Sequence, residues 1–382
     1  MEVVISNPEI GAGHLTFAMA FEKALEKQDI PHRYVSVPDD LGDPLISAFF
    51  NASRALYHLG GHGSPFTNIY EYIRDHQGGL PSILRLWLER ELLQYGGIPV
   101  AAHSLTTLRN RSILLQGDIS GGRAHVQSDA KLIAVPTEES KEELLTNKVP
   151  ENKVFVAGFF VDDNIKNPGV IQTRIDMLKD GYVHAGIYLT GARPLDHVRL
   201  IREKLLPVLA QGNRVGNVRF TLYTFTDEEL GDNFLWEARG LGMRAVRYED
   251  DSPDGNWDAR VIYGKSPREA VDFSLKALGY DKFPINLLIT MTGERVGWPY
   301  GMPVLPLPPI NRVNAGNNTK WLISRNICEG MVTGAESLTT ALEHPGDLIN
   351  KIQLAQKFID PNGAENTVKF MLGRPEYWAG GL

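Results

Sequence analysis

The first group in this sequence able to do acid–base chemistry is a histidine on a glycine-bearing turn. The run Val3-Val4-Ile5-Ser6 reads as a strand and breaks at Asn7-Pro8-Glu9-Ile10-Gly11-Ala12-Gly13-His14. A helical pattern over residues 15–27 follows at once. Gly11 and Gly13 let the main chain approach a bound group, and the first free N–H groups of the helix carry partial positive charge. The turn is therefore suited to an anion. His14 stands there either as a titratable group acting on what is bound or as a helix-start residue bonded to the backbone. His103 is the second candidate. It closes a strand-like run at 98–102, and parallel sheets carry their working residues at that end. A further glycine–histidine cluster, Gly60-Gly61-His62-Gly63-Ser64, reads as an acceptor-side loop or as a plain surface turn.

These residues need a frame, and the pattern supplies one. Short apolar strands at 3–6, 33–37, 98–102, 131–135 and 153–157 alternate with helical stretches at 15–27, 45–58, 81–95 and 138–147. That alternation predicts a parallel sheet with helices on its faces. Leu84, Trp87, Leu88 and Leu92 recur at helical spacing and read as a core face rather than a membrane-contacting one. Asp162-Asp163, Asn167-Pro168-Gly169 and Asp180-Gly181 mark 162–182 as a connection. The alternation then restarts, with strands at 183–189, 219–224, 244–248, 260–263, 285–291 and 303–307. Helices are expected at 196–210, 266–278, 345–358 and 361–372, and loops at 231–239 and 251–258. Two α/β units in series, 1–162 and 183–345 with 163–182 between them, imply a cleft, where ligands usually bind.

Composition excludes several classes. The 382 residues carry a formal net charge of -7, which argues against non-specific nucleic-acid binding. Cys328 is the only cysteine, so no intrachain disulfide forms. The start Met1-Glu2-Val3 lacks the basic flank and apolar run of a signal peptide, and no apolar run approaches the ~20 residues that span a bilayer. A soluble cytoplasmic protein is expected. The acidic pairs Asp39-Asp40 and Asp250-Asp251 sit in turn-rich stretches and read as solvated loops, not as a metal signature.

The pattern resembles the GT-B glycosyltransferases, in the branch of monogalactosyldiacylglycerol synthase and the N-acetylglucosaminyl transferase of lipid-linked peptidoglycan precursor. Four places carry the likeness. Gly11-Ala12-Gly13-His14 looks like the family's glycine-rich N-terminal loop. Val135-Pro136-Thr137-Glu138 with Val156-Ala157-Gly158-Phe159-Phe160-Val161-Asp162 looks like the end of its first domain, with Phe160 in place of the usual proline. Leu189-Thr190-Gly191-Ala192-Arg193 looks like the loop after the first strand of the donor domain. Gly301-Met302-Pro303-Val304-Leu305-Pro306 with Asn314-Ala315-Gly316-Asn317 looks like the nucleotide-sugar segment. Asn314 stands where the family has glutamate, Glu294 is shifted in the Thr292–Trp298 stretch, and Ala102-His103-Ser104 replaces a "T-D" pair.

The resemblance implies two Rossmann-like domains facing a cleft, with C-terminal helices over 346–382 crossing back to the first domain. It implies a metal-independent, inverting transfer of a sugar from a nucleotide-sugar co-substrate to an unknown acceptor, with no other cofactor. His14 or His103 would be the base. Thr190, Gly191 and Arg193 would meet the diphosphate through a helix N-terminus and a fixed positive fork. Thr292, Gly293 and Glu294 would line the donor cleft, with a local ion pair between Glu294 and Arg295 as the alternative reading. Ser266 and Arg268 would lie by the nucleotide base. Asn314 and Asn317 would bind sugar or ribose hydroxyls, and Arg312 would face phosphate or solvent. Two other readings stand beside this one: an enzyme like the UDP-N-acetylglucosamine 2-epimerases, which share the architecture, and a non-catalytic nucleotide-sugar-binding protein.

Overall fold

A computed structural model describes residues 2–8, 12–59, 82–120, 125–126, 128–189, 194–248, 256–279, 283–293, 295–309 and 314–374. Its strands form two parallel sheets of six. The first holds β1 (Val3–Asn7), β2 (His32–Ser36), β3 (Ile98–Ala101), β4 (Ile113–Leu115), β5 (Leu132–Val135) and β6 (Val154–Val156), in the order β2-β1-β3-β4-β5-β6. The second holds β7 (Val183–Tyr188), β8 (Val218–Tyr223), β9 (Ala245–Arg247), β10 (Ala259–Ile262), β11 (Leu287–Thr290) and β12 (Val304–Pro306), in the order β12-β11-β7-β8-β10-β9. Most strands read as continuous apolar runs because helices cover both faces of each sheet. The chain is thus an α/β protein with two Rossmann-like lobes.

Strand order places the chemistry. In the first sheet β1 is followed in sequence by β2 on one side, while β3 lies on its other side. In the second, β7 leads to β8 on one side and has β11 on the other. Chains leaving neighbouring strands in opposite directions open a crevice at the strands' carboxyl ends. His14 and His103 follow β1 and β3; residues 190–193 and Thr292-Gly293 follow β7 and β11.

Two features depart from the sequence pattern. Strand β4 was not expected. Its three residues, Ile113-Leu114-Leu115, are all buried, and only the short turn Ser104–Thr106 lies between it and β3, so a search for alternating strands and helices passes over it. Residues 231–239 were expected to be a loop and form most of the helix Glu228–Gly240. Asp227 caps it by accepting from Leu230 N–H at 2.9 Å, and Phe234, Leu235 and Ala238 bury one face. Gly231, read as a breaker, is there for packing: a Cβ would lie 2.7 Å from the Tyr263 ring.

The connecting segment folds as the helices Asp163–Lys166 and Pro168–Lys179 and is bound to the second lobe. Arg174 is wholly buried and donates to the carbonyls of Asn164, Ile165, Leu278, Ile285 and Gly301. Burial without a carboxylate partner pushes its pKa down to about 9. Removing the guanidinium would orphan several carbonyls at about 1–3 kcal/mol each. Gly301 permits the approach, since a Cβ there would meet Ile165 O at 2.1 Å. After the helix Asp347–Phe358, the last described helix, Gly363–Leu372, packs Ala364, Val368 and Met371 into the first-lobe core. The rings of Phe155 and Phe370 stack at 4.2 Å.

An apolar cluster joins the lobes. Ala12, Leu15, Met19 and Ile119 of the first pack with Tyr188, Trp298, Trp321 and Leu322 of the second. On the far side of β1, Leu88 and Leu92 are buried with Val4, Val35 and Phe50, while Trp87 is partly buried; the Leu84 side chain lies outside the described residues. Asp39 and Asp40, expected in a loop, stand exposed in the short helix Val37–Asp40 and accept from Ser36. No helix among the described residues is long and apolar enough to cross a membrane.

Candidate active site

The two histidines meet. The strand ends beneath them are tied together: Thr106 Oγ1 donates towards the carbonyls of Ser6 and His103, at 3.2 and 3.0 Å. On that base the rings of His14 and His103 stand edge to face, centroids 4.4 Å apart. His14 Nδ1 lies 3.1 Å from the Ala102 carbonyl oxygen. A carbonyl only accepts, so the neutral ring keeps its proton on Nδ1 and its lone pair on Nε2. His103 caps the short turn Ser104–Thr106, its Nδ1 accepting from Leu105 N–H at 3.0 Å. Its neutral ring therefore carries the proton on Nε2. Hydrogen-bond partners thus assign opposite tautomers to two touching imidazoles, one fitted to take a proton and one to donate a hydrogen bond.

The carboxyl end of β11 in the second lobe is built differently. Thr292 is buried, and its hydroxyl contacts Thr319 Oγ1 at 2.5 Å and the Ala315 carbonyl at 3.2 Å. Its side chain is spent on the helix Asn314–Ser324, so what it offers a ligand is main chain. Gly293 is also buried, yet a Cβ there would meet only Met291 Cε, at 4.0 Å. Asn317 is partly buried on the same helix, and Asn314 begins it. Ser266 caps the helix Pro267–Gly279, accepting from Glu269 N–H at 3.2 Å. Arg268 is engaged by Glu22 of the first lobe at 3.0 Å and lies 5.0 Å from the centre of the Tyr34 ring. Burial raises the Glu22 carboxyl above its ordinary value against the pull of that guanidinium. Gly13 opens the helix Ala12–Glu26, buried. Gly11, Thr190, Gly191, Arg193, Glu294, Arg312, the 60–64 cluster and Asp250-Asp251 lie outside the described residues, as does the Asn314 side chain. Among the described residues no three His, Cys, Asp or Glu side chains stand as a metal ion would need.

Sequence reasoning missed the residue that joins the walls. Asn318 is wholly buried, and its Oδ1 accepts from Ile119 N–H at 2.9 Å. Its Nδ2 faces Asp118 Oδ1 at 2.7 Å, the Thr292 carbonyl at 2.8 Å and the Gly293 carbonyl at 3.0 Å. Nearby, Gln116 donates to the Asp118 carbonyl and contacts His125 Nδ1 at 2.9 Å. Asp118 and Asn318 are 200 residues apart in the chain. The available signal was Asn318 itself, an amide one position past the expected ligand-binding Asn317.

No protein-family model matches the sequence, and no curated protein matches it. Solved structures do. A UDP-GlcNAc 2-epimerase from Neisseria meningitidis bound to UDP-GlcNAc superposes with a TM-score of 0.52 at 14% identity, over 98% of this chain and 100% of that one. A co-structure of S. aureus MnaA with UDP gives 0.54 at 13%, over 98% and 97%. A UDP-GlcNAc 2-epimerase from Methanocaldococcus jannaschii in complex with UDP-GlcNAc and UDP gives 0.50 at 15%, over 98% and 99%. At such identities the likeness is one of fold, the paired-lobe GT-B-like architecture. None of these three belongs by its description to the glycolipid or peptidoglycan-precursor transferases that the sequence motifs resemble.

Proposed function

We propose that the cleft binds a UDP-sugar and that the protein transfers the sugar to an acceptor hydroxyl, with His14 as general base. The observation that carries this is the Nδ1–H···O=C bond from His14 to Ala102, which fixes a basic Nε2 on the histidine at the first lobe's crevice. The acceptor hydroxyl gives its proton to Nε2 while its oxygen attacks the anomeric carbon. The bond from that carbon to the diphosphate breaks, and UDP leaves with the electron pair. The Ala102 carbonyl then stabilises the imidazolium it faces. Such positioned base catalysis contributes about 10²–10⁴-fold. His103, with its proton held on Nε2, donates a hydrogen bond on the acceptor side. Main-chain N–H groups at Thr292-Gly293 after β11 and at the start of the helix Asn314–Ser324 oppose the charge growing on the diphosphate, so the reading calls for no metal.

A second reading has its own support: an epimerase acting on the sugar of UDP-N-acetylglucosamine. Two of the structural neighbours carry UDP-GlcNAc in their descriptions, and Asp118 supplies one buried carboxylate at the carboxyl end of β4. One assay separates the readings. The protein is incubated with UDP-, GDP- and dTDP-sugars, with and without candidate acceptors, while nucleotide release and sugar configuration are followed. Acceptor-dependent release of UDP supports transfer. An altered sugar with the nucleotide still attached supports the epimerase and overturns transfer. Binding with neither change leaves a nucleotide-sugar-binding module.

A further inference from the structure

We propose that Asn318 is a positioning residue: its single carboxamide holds the nucleotide-side loop Thr292-Gly293 against the first-lobe turn Asp118-Ile119 and so sets the working width of the cleft. The carboxamide has one carbonyl and two N–H bonds. The carbonyl is used on Ile119 N–H, and the two N–H bonds are shared among the Asp118 carboxylate and two main-chain carbonyls. Two of these partners belong to the first lobe and two to the second. No side chain without both a donor and an acceptor at this length reproduces the set.

Its surroundings make this contact a rigid one. Thr292 and Thr319 lock the 292–293 loop to the helix that carries Asn318, through each other and through the Ala315 carbonyl. Loop and helix therefore move as one body, and Asn318 is that body's polar reach into the first lobe. Two cross-lobe ion pairs, Arg268 with Glu22 and Arg325 with Glu139, use arginines that keep solvent contact. Water competes for such pairs. The Asn318 contact is dry, beside the apolar seam holding Ile119 and Trp321, so its geometry is fixed more firmly than theirs.

The consequence for the reaction rests on the UDP-sugar reading. Asn314 and Asn317 lie on the same helix as Asn318. A ligand that settles on this helix start or on the 292–293 main chain settles on the element that Asn318 registers against the first lobe. Its register against the first lobe then depends on this amide, which adds a directed contact to the non-directional apolar seam.

The test needs no activity for its first arm. In Asn318→Asp, a carboxylate faces Asp118 and two carbonyls, and the repulsion raises its pKa. At neutral pH, hydrogen exchange in the 116–120 segment should speed up about tenfold or more, while β1 and β7 stay protected. Lowering the pH protonates the new carboxyl, which can then donate to Asp118, and the exchange, corrected for its intrinsic pH dependence, should fall back towards wild type. The exchanged pair Asn318→Asp with Asp118→Asn restores an amide–carboxylate contact with its polarity reversed and should recover part of the protection. Asn318→Ser serves if the aspartate variant does not fold, with faster exchange in the same segment expected. Unchanged exchange at 116–120 in a folded variant, or no recovery in the exchanged pair, overturns the proposal. The second arm is UDP affinity, expected to weaken about tenfold in Asn318→Asp. If wild type binds no UDP while the exchange results hold, the nucleotide reading falls and the strut stands. If UDP binds wild type and variant alike with exchange unchanged, the strut falls and the nucleotide reading stands.

Discussion

At the carboxyl ends of β1 and β3 the first lobe presents two imidazoles. At the end of β11 the second lobe presents main chain and hydroxyls already bonded to one another. Both places are strand-order crevices of the same topological kind, so the difference is chemical. A group that must exchange a proton with a ligand has to be a side chain with a lone pair kept on the chosen atom, and His14 is held that way by one carbonyl. On the UDP-sugar reading, binding the diphosphate needs only N–H groups that do not move, and a backbone whose side chains are tied down would supply them. The histidines make the same point. His14 is half-buried beside His103 at the carboxyl ends of β1 and β3, whereas His184, on β7, is wholly buried between the Phe283 carbonyl and Thr221 Oγ1.

The strongest way to break this contrast is His14→Ala. Turnover should drop about 10²–10⁴-fold with UDP affinity preserved. A loss below tenfold in a kinetic assay would return His14 to the role of a helix-start residue. Next comes His103→Asn, whose side-chain oxygen can still accept from Leu105 N–H and keep the turn while the Nε2–H donor disappears. Its rate should fall about 10–100-fold. A larger loss than in His14→Ala, measured side by side, would exchange their roles.

The third prediction concerns the buried histidine. Burial, helped by the Arg260 charge, pushes the His184 pKa down to about 3. A folded-state value below the unfolded one gives stability that is present above the unfolded pKa and is lost as pH falls. Between about pH 6.5 and 3, therefore, His184 should remove about 1.4 kcal/mol per pH unit. Urea unfolding at a series of pH values should show a shallower acid decline in His184→Gln than in wild type. Parallel declines would place a charged or hydrated histidine in that core. The smallest effect is expected for Gly293→Ala. The added methyl has room, so folding stability should stay within about 0.5 kcal/mol. UDP affinity should fall several-fold if the ligand lies against that main chain. Calorimetry showing unchanged affinity would remove this loop from the binding wall.

Much of the frame was legible because its signals are local. Eleven of the twelve described strands coincide with runs read from the sequence, most of them because a strand covered on both faces is apolar along its length. Strand β4 is separated from β3 by only the short turn Ser104–Thr106, so the strand–helix alternation does not announce it. The helix Glu228–Gly240 hides its own pattern behind Gly231, whose reason for being glycine is the Tyr263 ring, more than thirty positions away. In the site, His14 and His103 could be singled out by the turn and strand end that hold them, but nothing in their spacing of 89 positions says that their rings touch. Arg268 reads as a residue beside a nucleotide base; its engagement with Glu22 belongs to the packing of two lobes.

By itself, then, the order of residues determined which stretches become strands and helices and that there are two α/β units, because apolar periodicity, caps and turn formers act over a few residues. Only the tertiary structure decided which tautomer each imidazole takes, that Thr292 turns its hydroxyl inward, and that one buried amide at 318 meets both lobes. Those outcomes depend on hydrogen-bond partners brought together from distant parts of the chain, and such partners exist only once the two sheets have packed against each other.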